Sequence, residues 1–249
     1  MINFIENKNV FQILITDDPA VSIPAEIEAC MLDVKAKSAG YNHFYFDGSV
    51  LETLIANNFN ADVLKCFRGL VPYAYKADLG RYCLLYLYGG WYLDASVTLN
   101  IPLPPISGIN HVFFKDGPNP GVPSWDVSNG LIYAAKGSLI MSKAIEMVVA
   151  NFNNDWYGIN ALCPTGPNLL GRVIAMNGPS IEILTGNYLS LTPQHYFKNF
   201  SYILPDGRIL AWGKKTTGTP SGNSLDGLGL SNGNSYAALY HGRRIYRRD

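Results

Sequence analysis

The chain has 249 residues, 48% of them hydrophobic and only 15% charged, with a formal net charge of +0. That length fits one large domain or a domain with a lobe, and the apolar fraction can fill a sizeable core. Nothing in that balance suggests a nucleic-acid binder, which would need a basic surface.

In chain order, Val10 to Thr16 is a continuous apolar run that reads as a central parallel strand, followed by Asp17 and Asp18 in a loop. Pro24 to Lys37 carries helical spacing through Ile27, Met31 and Val34. Tyr41 to Phe46 alternates as a second strand. Short helices follow around Leu51, Leu54 and Ile55 and from Ala61 to Phe67. Lys76 to Tyr88 reads as a helix with little room for a polar face. Gly89 and Gly90 stop it, and Trp91 to Leu93 form a strand that delivers Asp94. Asp78 and Arg81 sit three residues apart on one face of that helix and need partners, because unpaired buried charge is costly.

Further strands are expected at Val97–Ile101, His111–Lys115 and Val127–Ala135, with a helix from Ser138 to Phe152 capped by Ser138. Cys163 to Leu170 opens another helix, with Thr165-Gly166-Pro167 at its start. Ile181–Leu184 and Tyr188–Leu191 read as two strands, and Tyr202 to Leu210 as a hairpin turning at Pro205-Asp206-Gly207. From about 213 to 235 the chain turns Gly/Ser/Asn-rich and reads as a mobile loop of lid type within a single domain spanning 1–249. Structure resumes at Tyr236. Strands alternating with helices point to an α/β fold, and ligands in such sheets bind beyond the carboxyl ends of the strands. No G-x-G-x-x-G follows the first strand, which argues against a dinucleotide enzyme.

The register Ala77, Asp78, Arg81, Leu85, Gly89, Gly90, Tyr92, Asp94 resembles glycosyltransferase family 32, whose sugar-binding region carries a DxD motif. Capsular-polysaccharide-synthesis enzymes and the glucosyltransferase domains of large clostridial toxins share the pattern. The departure is Ser96, which stands where that family has its second Asp. The resemblance implies a GT-A, Rossmann-like fold with a mixed, mostly parallel central sheet flanked by helices. It implies a retaining transferase that moves a sugar from a UDP- or GDP-sugar to a glycan hydroxyl, with Mn²⁺ or Mg²⁺ as cofactor. A sugar-nucleotide-binding protein of the same fold with little or no turnover is the alternative.

On this resemblance Asp78 and Arg81 hold sugar hydroxyls, and Asp94 serves a metal and diphosphate. Tyr92, Asn129, Thr165 and Gly166 border the donor sugar and acceptor cleft. Asp17 is placed to touch the nucleobase. Three completions of the metal site are open: Ser96 through its hydroxyl or a water, His241, or Lys214, Lys215 and the arginines of 243–248 carrying the phosphates directly. The family often places a metal contact near the C-terminus, which favours His241 together with Asp94. The four scattered cysteines read as structural thiols of a reducing compartment, and the first residues show no signal peptide or membrane anchor. A cytoplasmic enzyme is expected.

Overall fold

The structure is a computed structural model, and it describes residues 4–17, 22–116, 125–178, 182–190, 200–213 and 234–248. Nine strands form one sheet in the order β2-β1-β3-β6-β5-β7-β8-β9-β4. The strands are β1 (Asn9–Ile13), β2 (Asn42–Phe46), β3 (Gly90–Leu93), β4 (Thr98–Leu99), β5 (His111–Asp116), β6 (Val127–Ala134), β7 (Ile183–Ser190), β8 (Phe200–Ile203) and β9 (Ile209–Gly213). β1 runs parallel to β2 and β3, β6 is antiparallel to both β3 and β5, and β7 is parallel to β5. It follows that β1, β2, β3, β5 and β7 all end at one edge, and β6 begins there. The α/β architecture with a mixed sheet is as expected, but among the described strands only three of the eight neighbouring pairs are parallel, because β6, β8 and β4 run against the others.

The helices are α1 (Ala25–Ala36), α2 (Gly48–Asn58), α3 (Ala61–Gly69), α4 (Tyr73–Tyr88), α5 (Leu139–Asn153), α6 (Pro167–Asn177) and α7 (Tyr236–His241). Side chains alternate across each strand. Phe11, Ile13, Tyr92, Phe113 and Ile132 therefore face a core with α2 to α6, while Val10, Trp91, Leu93, Phe114 and Leu131 face a second core on the other side.

The central helix–turn–strand unit forms for local reasons. Gly89 ends α4 at φ +64° and its N–H bonds the Leu85 carbonyl at 2.9 Å. A Cβ on Gly90, at φ +120°, would lie 2.2 Å from the Asn9 carbonyl oxygen, so only glycine lets β3 enter beside β1. The Asn9 amide, fully buried, donates to the Gly89 carbonyl at 3.1 Å and ties the turn down.

Three expectations shift, each for a physical reason. The two short strands expected around 181–191 are one strand, Ile183–Ser190. Thr185-Gly186-Asn187 looks like a turn, but Gly186 stays extended because it packs under Phe114, where a Cβ would come within 2.7 Å of the ring. The helix expected from Cys163 starts at Pro167, leaving Thr165 and Gly166 in the preceding loop. The strand Val97–Ile101 shrinks to Thr98–Leu99, because Asp94 to Val97 form a turn closed by Val97 N–H on the Asp94 carbonyl at 2.9 Å.

The last described segment returns to the middle of the fold. Ile245 is fully buried, its carbonyl accepts from Val71 N–H at 2.9 Å, and Arg247 N–H donates to the Gly69 carbonyl at 2.7 Å. Asn234 accepts from Tyr73 N–H at 2.8 Å, capping α4. Most of the glycine-rich stretch, with Lys214 and Lys215, lies outside the described residues. Among the described residues no helix is long and apolar enough to cross a membrane. All four cysteines are free, and three of them are buried.

Candidate active site

The site begins with the charge pair on α4. Asp78 and Arg81 are both buried, with Arg81 Nη2 2.9 Å from Asp78 Oδ1. One i,i+3 contact would not repay the removal of both charges from water, so each needs more partners. Asp78 Oδ1 also accepts from Asn129 Nδ2 at 2.7 Å, and Oδ2 accepts from Thr165 Oγ1 at 2.7 Å. Arg81 donates to the Asn129 carbonyl at 2.6 Å and the Ala77 carbonyl at 3.2 Å. Its guanidinium lies 4.4 Å from the centre of the Tyr92 ring.

Arg81 Nη1 also reaches Asp94 Oδ1 at 3.1 Å, and the Tyr92 hydroxyl donates to the same oxygen at 2.8 Å. Arg81 therefore bridges the two carboxylates. Burial pushes Asp78 upward in pKa, against the pull of Arg81 and Thr165. Three donors converge on it, so the ionised carboxylate is the form these contacts are arranged to hold. Burial works against the Arg81 charge as well, but Tyr92, Asp94 and Asp78 outweigh it and keep the group protonated.

Asp94 presents its other oxygen to the cleft. A Cβ on Gly130 would sit 2.7 Å from both Asp94 Oδ2 and the Tyr202 hydroxyl, so glycine there leaves that oxygen reachable. The backbone of Asp94 is fixed by its N–H on the Gly130 carbonyl at 2.8 Å and by Gln12 Nε2 on its own carbonyl at 3.3 Å. Gly166 does for Asp78 what Gly130 does for Asp94, since its Cβ would lie 3.4 Å from Asp78 Oδ2.

These groups open into a cleft of about 280 Å³ at the edge where the parallel strands end. Asp78, Arg81, Asp94, Asn129 and Gly166 line it, and Tyr92 and Thr165 are hydrogen-bonded to Asp94 and Asp78. Ser96 and His241 are not among its lining residues. Ser96 is half-buried in the turn after Asp94, and His241 is exposed at the end of α7 with its ring edge-on to Tyr240. Asp17 accepts from the Tyr73 hydroxyl at 2.5 Å and likewise does not line the cleft. Lys214 lies outside the described residues.

The sequence reading missed the far wall of the cleft. Asp116, Tyr188, Phe200 and Tyr202, from β5, β7 and β8, line it, as do Tyr75 and Tyr236. A signal for Asp116 was present: it closes the run HVFFKD as Asp94 closes GWYLD, each an acid at the carboxyl end of a strand.

Residues 24–113 match the family described as glycosyltransferase sugar-binding region containing DXD motif. The chain is 28% identical over 92 residues to an uncharacterized glycosyltransferase of Acanthamoeba polyphaga mimivirus, and the match covers 37% of each chain. The chain thus spans well under two thirds of that relative. In three dimensions it resembles the PaToxG glycosyltransferase, with a TM-score of 0.54, 16% identity and 70% of each chain covered. That likeness shows a shared fold of GT-A type. A glycosyltransferase involved in glycosylating the major capsid of PBCV-1 aligns more loosely, with a TM-score of 0.39 and 14% identity over 72% of this chain and 82% of that one. The unit that carries Asp78, Arg81 and Asp94 lies inside residues 24–113, the stretch similar to that sugar-binding region, and the fold around it is of GT-A type.

Proposed function

We propose that the protein transfers a sugar from a nucleotide-diphosphate donor, a UDP- or GDP-sugar, to a glycan hydroxyl, with retention at the anomeric carbon. The observation that carries this reading is the split of Asp94: Oδ1 is held by Arg81 and Tyr92, while Oδ2 faces the cleft past Gly130.

That oxygen suits a hard cation. Among the described residues no group of three or more His, Cys, Asp or Glu could hold a metal by itself. The fit is therefore to an Mg²⁺ or Mn²⁺ carried largely by the substrate phosphates, which needs one or two carboxylates from the protein, with Asp94 supplying one. When bound, such an ion neutralises charge on the leaving diphosphate.

The chain's own residues do the rest by positioning and electrostatics. Asp78 Oδ2 accepts one hydrogen bond from Thr165 and has capacity for a sugar hydroxyl arriving over Gly166. Arg81 keeps both carboxylates oriented. The acceptor oxygen bonds the anomeric carbon as the bond to the phosphate oxygen breaks, and the hydroxyl proton passes to that departing oxygen.

A thermal-shift screen of nucleotide sugars with and without Mn²⁺ tests the reading, because a ligand that binds only the folded state raises its stability. A UDP- or GDP-sugar should raise Tm in a Mn²⁺-dependent way. Asp94→Ala should abolish the Mn²⁺ increment and lower turnover on the order of 100-fold. Full metal-dependent binding in Asp94→Ala would remove Asp94 from the site, and loss of the increment in His241→Ala would bring His241 into it. Ser96, in place of a second Asp, motivates the alternative of a donor-binding protein without turnover. Donor that binds but is neither hydrolysed nor transferred with Mn²⁺ present would select that alternative.

A further inference from the structure

Three residues of the far wall form a straight row across the sheet. Asp116 on β5 pairs directly with Tyr188 on β7, and Tyr188 pairs directly with Tyr202 on β8. Directly opposed residues project to the same face, so a carboxylate and two phenols stand side by side at the strand ends. Phe200, two residues from Tyr202, shares that face and stacks on Tyr188 with ring centres 5.0 Å apart and planes 22° from parallel. Tyr188 and Tyr202 are 4.4 Å apart by ring centres, and the Tyr202 hydroxyl lies 3.0 Å from Ser128 Oγ. All five side chains line the same cleft as Asp94.

The row has a direction. Its Tyr202 end abuts Asp94, since the Tyr202 hydroxyl and Asp94 Oδ2 flank the same point above Gly130 at 2.7 Å each. Its Asp116 end stands on β5, two strands from β3 in the sheet and outside residues 24–113, while β8 is four strands from β3. Both Asp116 and Asp94 act on the Tyr188 phenol, which burial already pushes upward in pKa. The phenol therefore stays protonated and able to donate.

We propose that the row Asp116–Tyr188–Tyr202, with Phe200 beside it, is the acceptor subsite of the cleft and takes a pyranose ring of a glycan. The chemistry fits that class. A carboxylate accepts from two adjacent hydroxyls, the half-buried Tyr188 phenol both donates and accepts, and the half-buried Phe200 ring offers a face to the C–H side of a sugar, while the buried Tyr202 packs behind them. A uracil base would use the stacking faces but offer the carboxylate a single N–H donor; a guanine base offers two, and the nucleotide-affinity arm of the test separates it from a pyranose. The inference rests on the glycosyltransferase reading but makes a separate claim about which wall holds the acceptor.

The test uses a panel of p-nitrophenyl hexopyranosides, with binding followed by saturation-transfer NMR and calorimetry in the presence of UDP or GDP and Mn²⁺. At least one glycoside should bind the wild-type chain. Asp116→Asn should weaken it about tenfold or more, the scale of losing a hydrogen bond to a charged group, and Phe200→Ala should weaken it as well. Nucleotide affinity should change less than twofold in both variants. Tyr188→Phe, which keeps the ring and removes the hydroxyl, covers the case in which Asp116→Asn does not fold. Unchanged glycoside affinity in the folded variants overturns the proposal, as does a wild-type chain that binds no member of the panel. Failure of the broader reading shows differently, as a wild-type chain that binds no nucleotide or nucleotide sugar.

Discussion

At the scale of single residues, two buried titratable groups set opposing pH dependences. Asp126 is 2% exposed, and burial lifts its carboxyl to about 6 although Asn168 donates to it. A carboxyl whose folded pKa is raised holds its proton more tightly when folded, so stability falls as pH rises from 3.8 to about 6. His111 is buried against Ser138, and burial lowers it from 6.5 to about 4. A histidine so lowered stays neutral when folded, so stability rises with pH across 4 to 6.5. The two slopes largely cancel in the wild-type chain. Asp126→Asn removes one of them, leaving stability that climbs by about 3 kcal/mol between pH 4 and 6.5. Chemical denaturation at stepped pH reads this directly. Superimposable wild-type and variant profiles would contradict it.

At the scale of elements, the turn between α4 and β3 is the tightest joint near the site. An added methyl at Gly90 meets backbone, the Asn9 carbonyl at 2.2 Å and the Asn9 amide nitrogen at 2.9 Å, neither of which can rotate away. Gly90→Ala is expected to cost about 3 kcal/mol or more, a fall of roughly 6–12 °C in Tm for a chain of this size. Differential scanning fluorimetry checks it, and a fall under about 2 °C would show the turn to be softer than its geometry. This joint was legible in the sequence because Gly-Gly after an apolar helix has few other meanings. So were β1, β2, α5 with its Ser138 cap, and the same-side placement of Tyr92 and Asp94. The far wall was not legible. Gly186 hides a continuous strand behind turn-like composition, and the Asp116–Tyr188–Tyr202 row exists only through register between strands distant in sequence, which local periodicity does not encode. His241 was favoured as a metal contact on resemblance alone. α7 places it exposed, with Tyr236 rather than His241 lining the cleft.

At the scale of the molecule, the buried ion pair shows how far apart the site's parts are made. Asp78 depends on Asn129, 51 residues on, and on Thr165, 87 residues on. β3 is flanked on one side by β1 and on the other by β6, which begins only at Val127. α4 is capped by Asn234, and the connection before it is held by Ile245. The residues that match the sugar-binding family stop at 113. The stretch that carries the recognisable motif is therefore not an autonomous folding unit. Cut out as 24–113, it would leave β3 without either neighbour, the Asp78 carboxylate without two of its three donors, and the apolar face of α4 without α5. Such a fragment is expected to read as largely unfolded by far-UV circular dichroism and to show no cooperative melt, while the full chain melts cooperatively. A cooperative melt of the fragment would mean that its core closes without β1 and β6. The stretch that matches the family is, physically, only one side of a cavity whose other side is folded from residues beyond it.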